Sequence, residues 1–186
     1  MTAPVLTTAI AIQERAGLGA DDGVDWADLG TPYTRLESSF VARSIAGMAV
    51  QVEVAGHKAP PLVLESCPAN HTNFALGEMV LFTGLEQNPG PIVLVFSEPV
   101  WGAGAQIQPD YPGAFTGGLE AFDAQDRPVA SVRRAGLSTT ACDGSAIFLG
   151  FRCGPVPVVR LVFAVEAAGG PYALAINRLD LRRAQA

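Results

Sequence analysis

The feature that most constrains this chain is its punctuation: short apolar runs recur at roughly 8 to 15 residue intervals, each closed by Gly, Pro, Asn or Asp. No window between them is long enough for the crossover helices of a βαβ fold, so the chain has to build sheets from hairpins and sheet-to-sheet crossings. The runs fall at residues 5–13, 40–46, 48–54, 62–65, 79–82, 92–96 and 104–108, and continue at 115–122, 129–133, 146–151, 158–165 and 172–181. This pattern predicts an all-β fold, a two-sheet antiparallel jelly-roll-like β-sandwich, as one domain over residues 1–186. The 20 Gly and 14 Pro residues supply the turns.

Charge and hydropathy remove several function classes. Twelve basic against 18 acidic residues give a net charge of −6, and the only basic pairs are Arg133-Arg134 and Arg182-Arg183. Nucleic acid needs a dense positive face to displace counterions, so it is not an expected partner. No window approaches the roughly 20 apolar residues of a membrane span. The first residues, Met1-Thr2-Ala3-Pro4, lack a basic region followed by an apolar one, so the chain is expected to be a mature form without its export signal. A glycine-rich, acidic composition with one lysine, Lys58, is common in exported β domains.

Three cysteines cannot all pair within one chain, and none has CxxC spacing. Cys142 and Cys153 flank eight residues of an extended run, which at about 3.3 Å each hold them over 20 Å apart, beyond disulfide reach. A bridge therefore uses Cys67 with one of the other two, and three buried free thiols are the alternative.

Two places break the regular pattern. Residues 16–37 form the longest irregular stretch, carrying Asp21, Asp22, Asp25 and Asp28, with a short helical turn expected at Trp26 to Leu29 capped by Asp25. In the last run, Tyr172, Leu174 and Ile176 share one face while Leu179 and Leu181 have the opposite parity. A bulge is expected near Asn177-Arg178.

From residue 92 onward the order of features is distinctive: Phe96-Ser97-Glu98-Pro99-Val100, then Phe122-Asp123, then Phe148-Leu149-Gly150-Phe151, then Ala175-Ile176-Asn177-Arg178-Leu179. Earlier, Asp25-Trp26-Ala27-Asp28-Leu29-Gly30 and Asn73-Phe74-Ala75-Leu76-Gly77-Glu78 add to it. The series resembles the β-sandwich ectodomains of PEP-CTERM-type exported bacterial proteins, with Asn177 where Asp is common and without the sorting tail. The resemblance implies a secreted or cell-surface protein, jelly-roll-like, often holding calcium, in contact with carbohydrate or extracellular matrix.

Three chemistries are then expected at named residues. Calcium takes six to eight oxygen ligands, and the available pool is Asp21, Asp22, Asp25 and Asp28 with Asn177 and Asp180, although no EF-hand spacing is present. Turn and capping roles for these carboxylates are the competing reading. A sugar needs an aromatic face beside directed polar groups, which Trp101, Gln106, Gln108, Asp110 and Tyr111 supply, Tyr111 being the aromatic most expected to be exposed. Core packing of Trp101 and Phe115 competes with that reading. No catalytic residue is assigned: His57 and His71 lie in loops, and Glu65 could pair with Glu78, Glu120 or Asp123 only if the fold faced them across a cleft. The sequence thus reads as an exported, noncatalytic binding or structural module for a glycan, with one structural calcium. The alternatives are a jelly-roll carbohydrate-active hydrolase or lyase, and a self-associating surface or matrix protein.

Overall fold

The structure is a computed structural model describing residues 9–56, 59–67, 70, 72–85 and 87–184. The chain forms β1 (Ile10–Ile12), a single helical turn α1 (Arg15–Leu18), β2 (Asp22–Val24), a 3-10 turn at Trp26–Leu29, β3 (Ser39–Arg43), β4 (Ala49–Val54) and β5 (Leu62–Glu65). Then come β6 (Met79–Phe82), β7 (Ile92–Val100), β8 (Gly102–Pro109), β9 (Gly113–Phe122) and β10 (Pro128–Ser138). The last elements are β11 (Ile147–Arg152), β12 (Val158–Ala167), β13 (Leu174–Ile176) and β14 (Leu179–Arg182).

Two antiparallel sheets stack on one another, as the strand pattern predicts. The six-stranded sheet runs β10-β9-β12-β7-β4-β3, and the eight-stranded sheet runs β1-β11-β8-β13-β6-β5 with β14 on β8 and β2 on β14. The chain changes sheet on entering β3, β5, β7, β8, β9, β11, β12 and β13, which gives the sandwich its jelly-roll character. Alternate residues point inward: Ile92, Leu94 and Phe96 of β7 and Leu161 and Phe163 of β12 meet Ala103, Ala105 and Ile107 of β8 and Leu149 and Phe151 of β11 in one core. Each fully buried large side chain contributes about 1.5–3 kcal/mol, so this core carries the fold. No helix among the described residues is long and apolar enough to cross a membrane.

The 16–37 segment differs from its expectation as an irregular loop. Leu18, Val24 and Trp26 are fully buried, and β2 pairs with β14 through Val24 to Leu179 and Asp22 to Leu181. A three-residue strand flanked by Asp and Gly carries no periodicity of its own, and only the late partner β14 completes it. The 3-10 turn matches its expectation: the Ala27 N–H donates to Asp25 Oδ1 at 3.0 Å.

The last run is interrupted where the change of parity requires, leaving Asn177 and Arg178 between β13 and β14. Asn177 is fully buried and its amide is saturated. Nδ2 donates to Glu78 Oε1 and Gln106 Oε1, both at 2.6 Å, and Oδ1 accepts from the Gln106 N–H at 2.8 Å. Its carbonyl accepts from Trp26 Nε1 at 2.8 Å, joining the break to the core.

Cys67 and Cys142 form a disulfide with a Cα–Cα distance of 6.4 Å, which selects between the two pairings left to Cys67. Cys153 is a buried free thiol whose pKa burial pushes up to about 11, so little nucleophilic thiolate exists at neutral pH.

Asp22 shows what the acidic stretch does. Its carboxylate accepts from Ser44 Oγ (2.6 Å), the Ala46 N–H (3.0 Å) and the Gly23 N–H (2.8 Å), with Arg183 Nη1 at 3.5 Å. Burial alone would raise its pKa, but these bonds and the Arg183 charge outweigh burial and hold it below its ordinary 3.8. A depressed folded pKa stabilises the fold above the unfolded value, and that contribution disappears as pH falls through the folded value. Asp22→Ala is expected to cost about 2–3 kcal/mol in urea unfolding at pH 7, with the difference from the parent protein shrinking below about pH 4.

Candidate functional site

The outward face of the eight-stranded sheet carries an unusual apolar stripe. Cross-strand partners point to the same side, so the register Gln108 to Ala175, Ala175 to Phe82, Phe82 to Leu62 and Leu64 to Val80 places all of these on one surface. That surface faces away from the main core, where polar residues would be ordinary. Instead Leu62, Leu64, Val80, Phe82 and Ala175 join Phe74 in a second apolar cluster. The runs Leu62-Val63-Leu64 and Met79-Val80-Leu81-Phe82 record this in the sequence, since strands wet on one face alternate and these do not.

Phe74 roofs part of the stripe, and the uncovered remainder is the floor of a cavity of about 270 Å³. Its walls come from Ser66, Asn70, Thr72 and Phe74, the 109–112 turn, residues 138–140 and Leu85. Two buried amides brace the walls. Gln108 Oε1 accepts from the Asn73 N–H at 2.6 Å, while its Nε2 donates to Ser138 Oγ at 2.8 Å and to the Thr139 carbonyl at 3.2 Å. Asn73 Nδ2 donates to Thr139 Oγ1 at 2.9 Å and Ser145 Oγ at 2.7 Å, and its Oδ1 accepts from the Thr139 N–H. The Cys67–Cys142 bridge and a Cys142 N–H to Thr72 carbonyl bond of 2.7 Å tie the same two walls covalently and through the backbone.

The rim carries the chemistry. Tyr111 is 47% exposed and stacks on Tyr172 with ring centroids 4.3 Å apart and an interplanar angle of 11°. This offers one flat, pre-ordered aromatic platform at the mouth. Asp110 is exposed in area, yet the surrounding wall desolvates its carboxyl and pushes its pKa above the usual range. Glu65, Asn70 and Thr140 add oxygen and nitrogen partners around the opening.

The five expected ligand residues therefore separate. Asp110, Tyr111 and Gln108 line this cavity, but the Gln108 amide is consumed in bracing it. Gln106 lies in a different groove, with Nε2 donating at 2.7 Å to both the Gly144 and Ala146 carbonyls. Trp101 borders a third, shallow groove with Glu98 and Arg183, half-buried against the core, its buried Nε1 without a partner among the described residues. Glu65, considered only as one of a hydrolytic pair, lines the cavity, while Leu64, Phe82 and Tyr172 were not expected at a site, and of these only the apolar runs left a readable signal.

All of the acidic residues of the expected calcium pool except Asp28 are held in local contacts. Asp21 accepts from the N–H groups of Arg183 (2.7 Å) and Ala184 (3.0 Å), and Asp25 caps its turn. Asp28 lies on the same 3-10 turn, exposed. Asp180 lies 2.8 Å from Arg15 Nε and 3.2 Å from Arg178 Nε, yet burial lifts its pKa despite both cations. Among the described residues no three His, Cys, Asp or Glu side chains are placed to share a metal ion, and Asn177 is saturated as described above. Of the carboxylate pairs considered for hydrolysis, Glu65 lines the cavity while Glu78 turns to Asn177. Glu120 is exposed on the six-stranded sheet, and Asp123 ties the β9 to β10 turn through Arg127. His57 and His71 lie outside the described residues.

No protein-family model matches the chain, and no curated protein matches it in sequence. Among solved structures it is similar to a DUF4465 family protein from Bacteroides caccae, with 9% identity over 94% of this chain and 100% of that one and a TM-score of 0.44. It is also similar to a mutant of a family 29 carbohydrate-binding module, with 10% identity over 95% of this chain and 93% of that one and a TM-score of 0.33. Both likenesses are to the β-sandwich architecture.

Proposed function

We propose that this chain is an exported, noncatalytic glycan-binding module whose site is the cavity beside Tyr111. The observation that carries the reading is the combination at one mouth of an exposed, pre-ordered aromatic face, an apolar floor and a ring of polar groups. A pyranose presents an apolar face to stack and a belt of hydroxyls that need directed partners, and this rim offers both. At about 270 Å³ the cavity falls just under the ~300–1,000 Å³ of drug-sized ligand sites, room for one sugar residue rather than an extended chain. The disulfide supports export, since such bridges persist in oxidising compartments.

Tyr111→Ala tests the assignment. It is expected to weaken binding of the best oligosaccharide in a glycan array by about tenfold, the loss of roughly 1.4 kcal/mol of stacking, with the melting temperature lowered by only about 1–6 °C through the lost stack on Tyr172. Unaltered affinity would move the site elsewhere, and release of shortened products from the bound oligosaccharide would overturn the noncatalytic part of the reading.

A further inference from the structure

The charge of the cavity says which sugars it takes. Two carboxylates, Glu65 and Asp110, line it, and no Arg or Lys does among the described residues. Among the described residues neither carboxylate is in an ion pair, whereas Asp22, Asp123, Asp126, Glu98, Glu166 and Asp180 all are. The nearest wall residues are neutral: Asn70, Thr72, Ser138, Thr139 and Thr140 beside the aromatic and aliphatic floor.

Resting on the glycan-binding reading, we infer that the cavity selects a sugar bearing a free ammonium group, as in a glucosamine unit, and rejects sugars bearing carboxylate or sulfate. A ligand seated at the rim strips more water from Asp110 and Glu65. A sugar hydroxyl compensates that loss with one neutral hydrogen bond. An ammonium compensates it with a charge-assisted bond of about twice the strength. A uronate or sulfate would add like charge beside the Asp110 and Glu65 carboxylates, with no Arg or Lys among the described lining residues to absorb it, which opposes binding. The protein's net charge of −6 also attracts cations from a distance, but that field is screened within about 8 Å at physiological salt. Selectivity that survives 0.15 M salt therefore belongs to the cavity.

Calorimetric titration with three oligosaccharide sets of equal length reads this directly: glucosamine, N-acetylglucosamine and galacturonate oligomers, near pH 6 in 0.15 M salt. The expected order is glucosamine tightest, N-acetylglucosamine about tenfold weaker, and galacturonate without measurable heat. Asp110→Asn is expected to remove most of the tenfold preference while keeping N-acetylglucosamine binding, since the amide still hydrogen-bonds hydroxyls. Glu65→Gln gives the second, independent reading of the same loss. Equal affinity for the glucosamine and N-acetylglucosamine sets, or binding of galacturonate, would overturn the charge selectivity and leave the glycan site standing. Absence of binding by every neutral and amino sugar would sink the glycan reading with it. A preference that survives both substitutions would assign the selectivity to the long-range field instead of these two side chains.

Discussion

Removing the Cys67–Cys142 bridge is expected to destabilise the protein by about 4 kcal/mol. The bridge closes a loop of 75 residues, and the chain entropy denied to the unfolded state by a loop of that length corresponds to a little over 4 kcal/mol. For a chain of this size the loss lowers the melting temperature by roughly 8–16 °C. The double variant Cys67→Ser, Cys142→Ser is the cleaner test than reductant, because it leaves the buried Cys153 untouched. Its second consequence is functional. Cys67 directly follows the wall residue Ser66 and Cys142 lies two residues beyond the wall residue Thr140, so sugar binding is expected to weaken even at temperatures where the variant remains folded. A melting temperature within 2 °C of the parent protein would mean that the buried amides alone hold the loops.

Asn177→Asp is expected to cost about 3–5 kcal/mol at neutral pH, although it changes one atom. The substitution removes two donated bonds of 2.6 Å and sets a carboxylate against the Glu78 carboxylate and the Gln106 carbonyl oxygen. Gln106 cannot turn its amide to compensate, because its Nε2 already serves the Gly144 and Ala146 carbonyls. A buried charge without a partner is among the costliest single changes. Burial and Glu78 would both raise the folded pKa of the introduced carboxyl. The protonated form is then the stable one, so the deficit is smallest below the unfolded value near 4 and grows as pH rises through the folded value. Urea unfolding at pH 7 and at pH 4.5, against the parent protein at each pH, checks both the size and the direction. A deficit independent of pH would show that the cost is lost hydrogen bonding alone.

How much of this was readable beforehand depends on whether a residue's neighbours are local. The strand and turn pattern, the Asp25 cap, the break at Asn177-Arg178 and the need for Cys67 in any bridge all follow from residues within a few positions of one another or from simple reach. β2 was not readable, because its pairing is with β14, over 150 residues away. The site divides the same way. Tyr111 is exposed in the turn between Asp110 and Pro112, which local sequence suggests, and Asp110 was legible as a polar group beside it. Gln106 and Gln108 do share a face, but whether an amide greets a ligand or braces a loop depends on partners 30 to 70 positions distant. Tyr172 read as a strand residue and is instead the second ring under Tyr111.

The division of labour around the cavity bears on how such a domain changes over time. Its shape is set by Asn73, Gln108 and the disulfide, none of which has to touch the ligand, while Asp110, Tyr111, Thr140 and Leu85 stand at the mouth and support little else. Mutations at the mouth can therefore alter ligand preference without drawing on the stability of the sandwich. Libraries that randomise those four positions and hold Asn73 and Gln108 fixed should yield mostly folded proteins, which makes this cavity a natural starting point for retargeting.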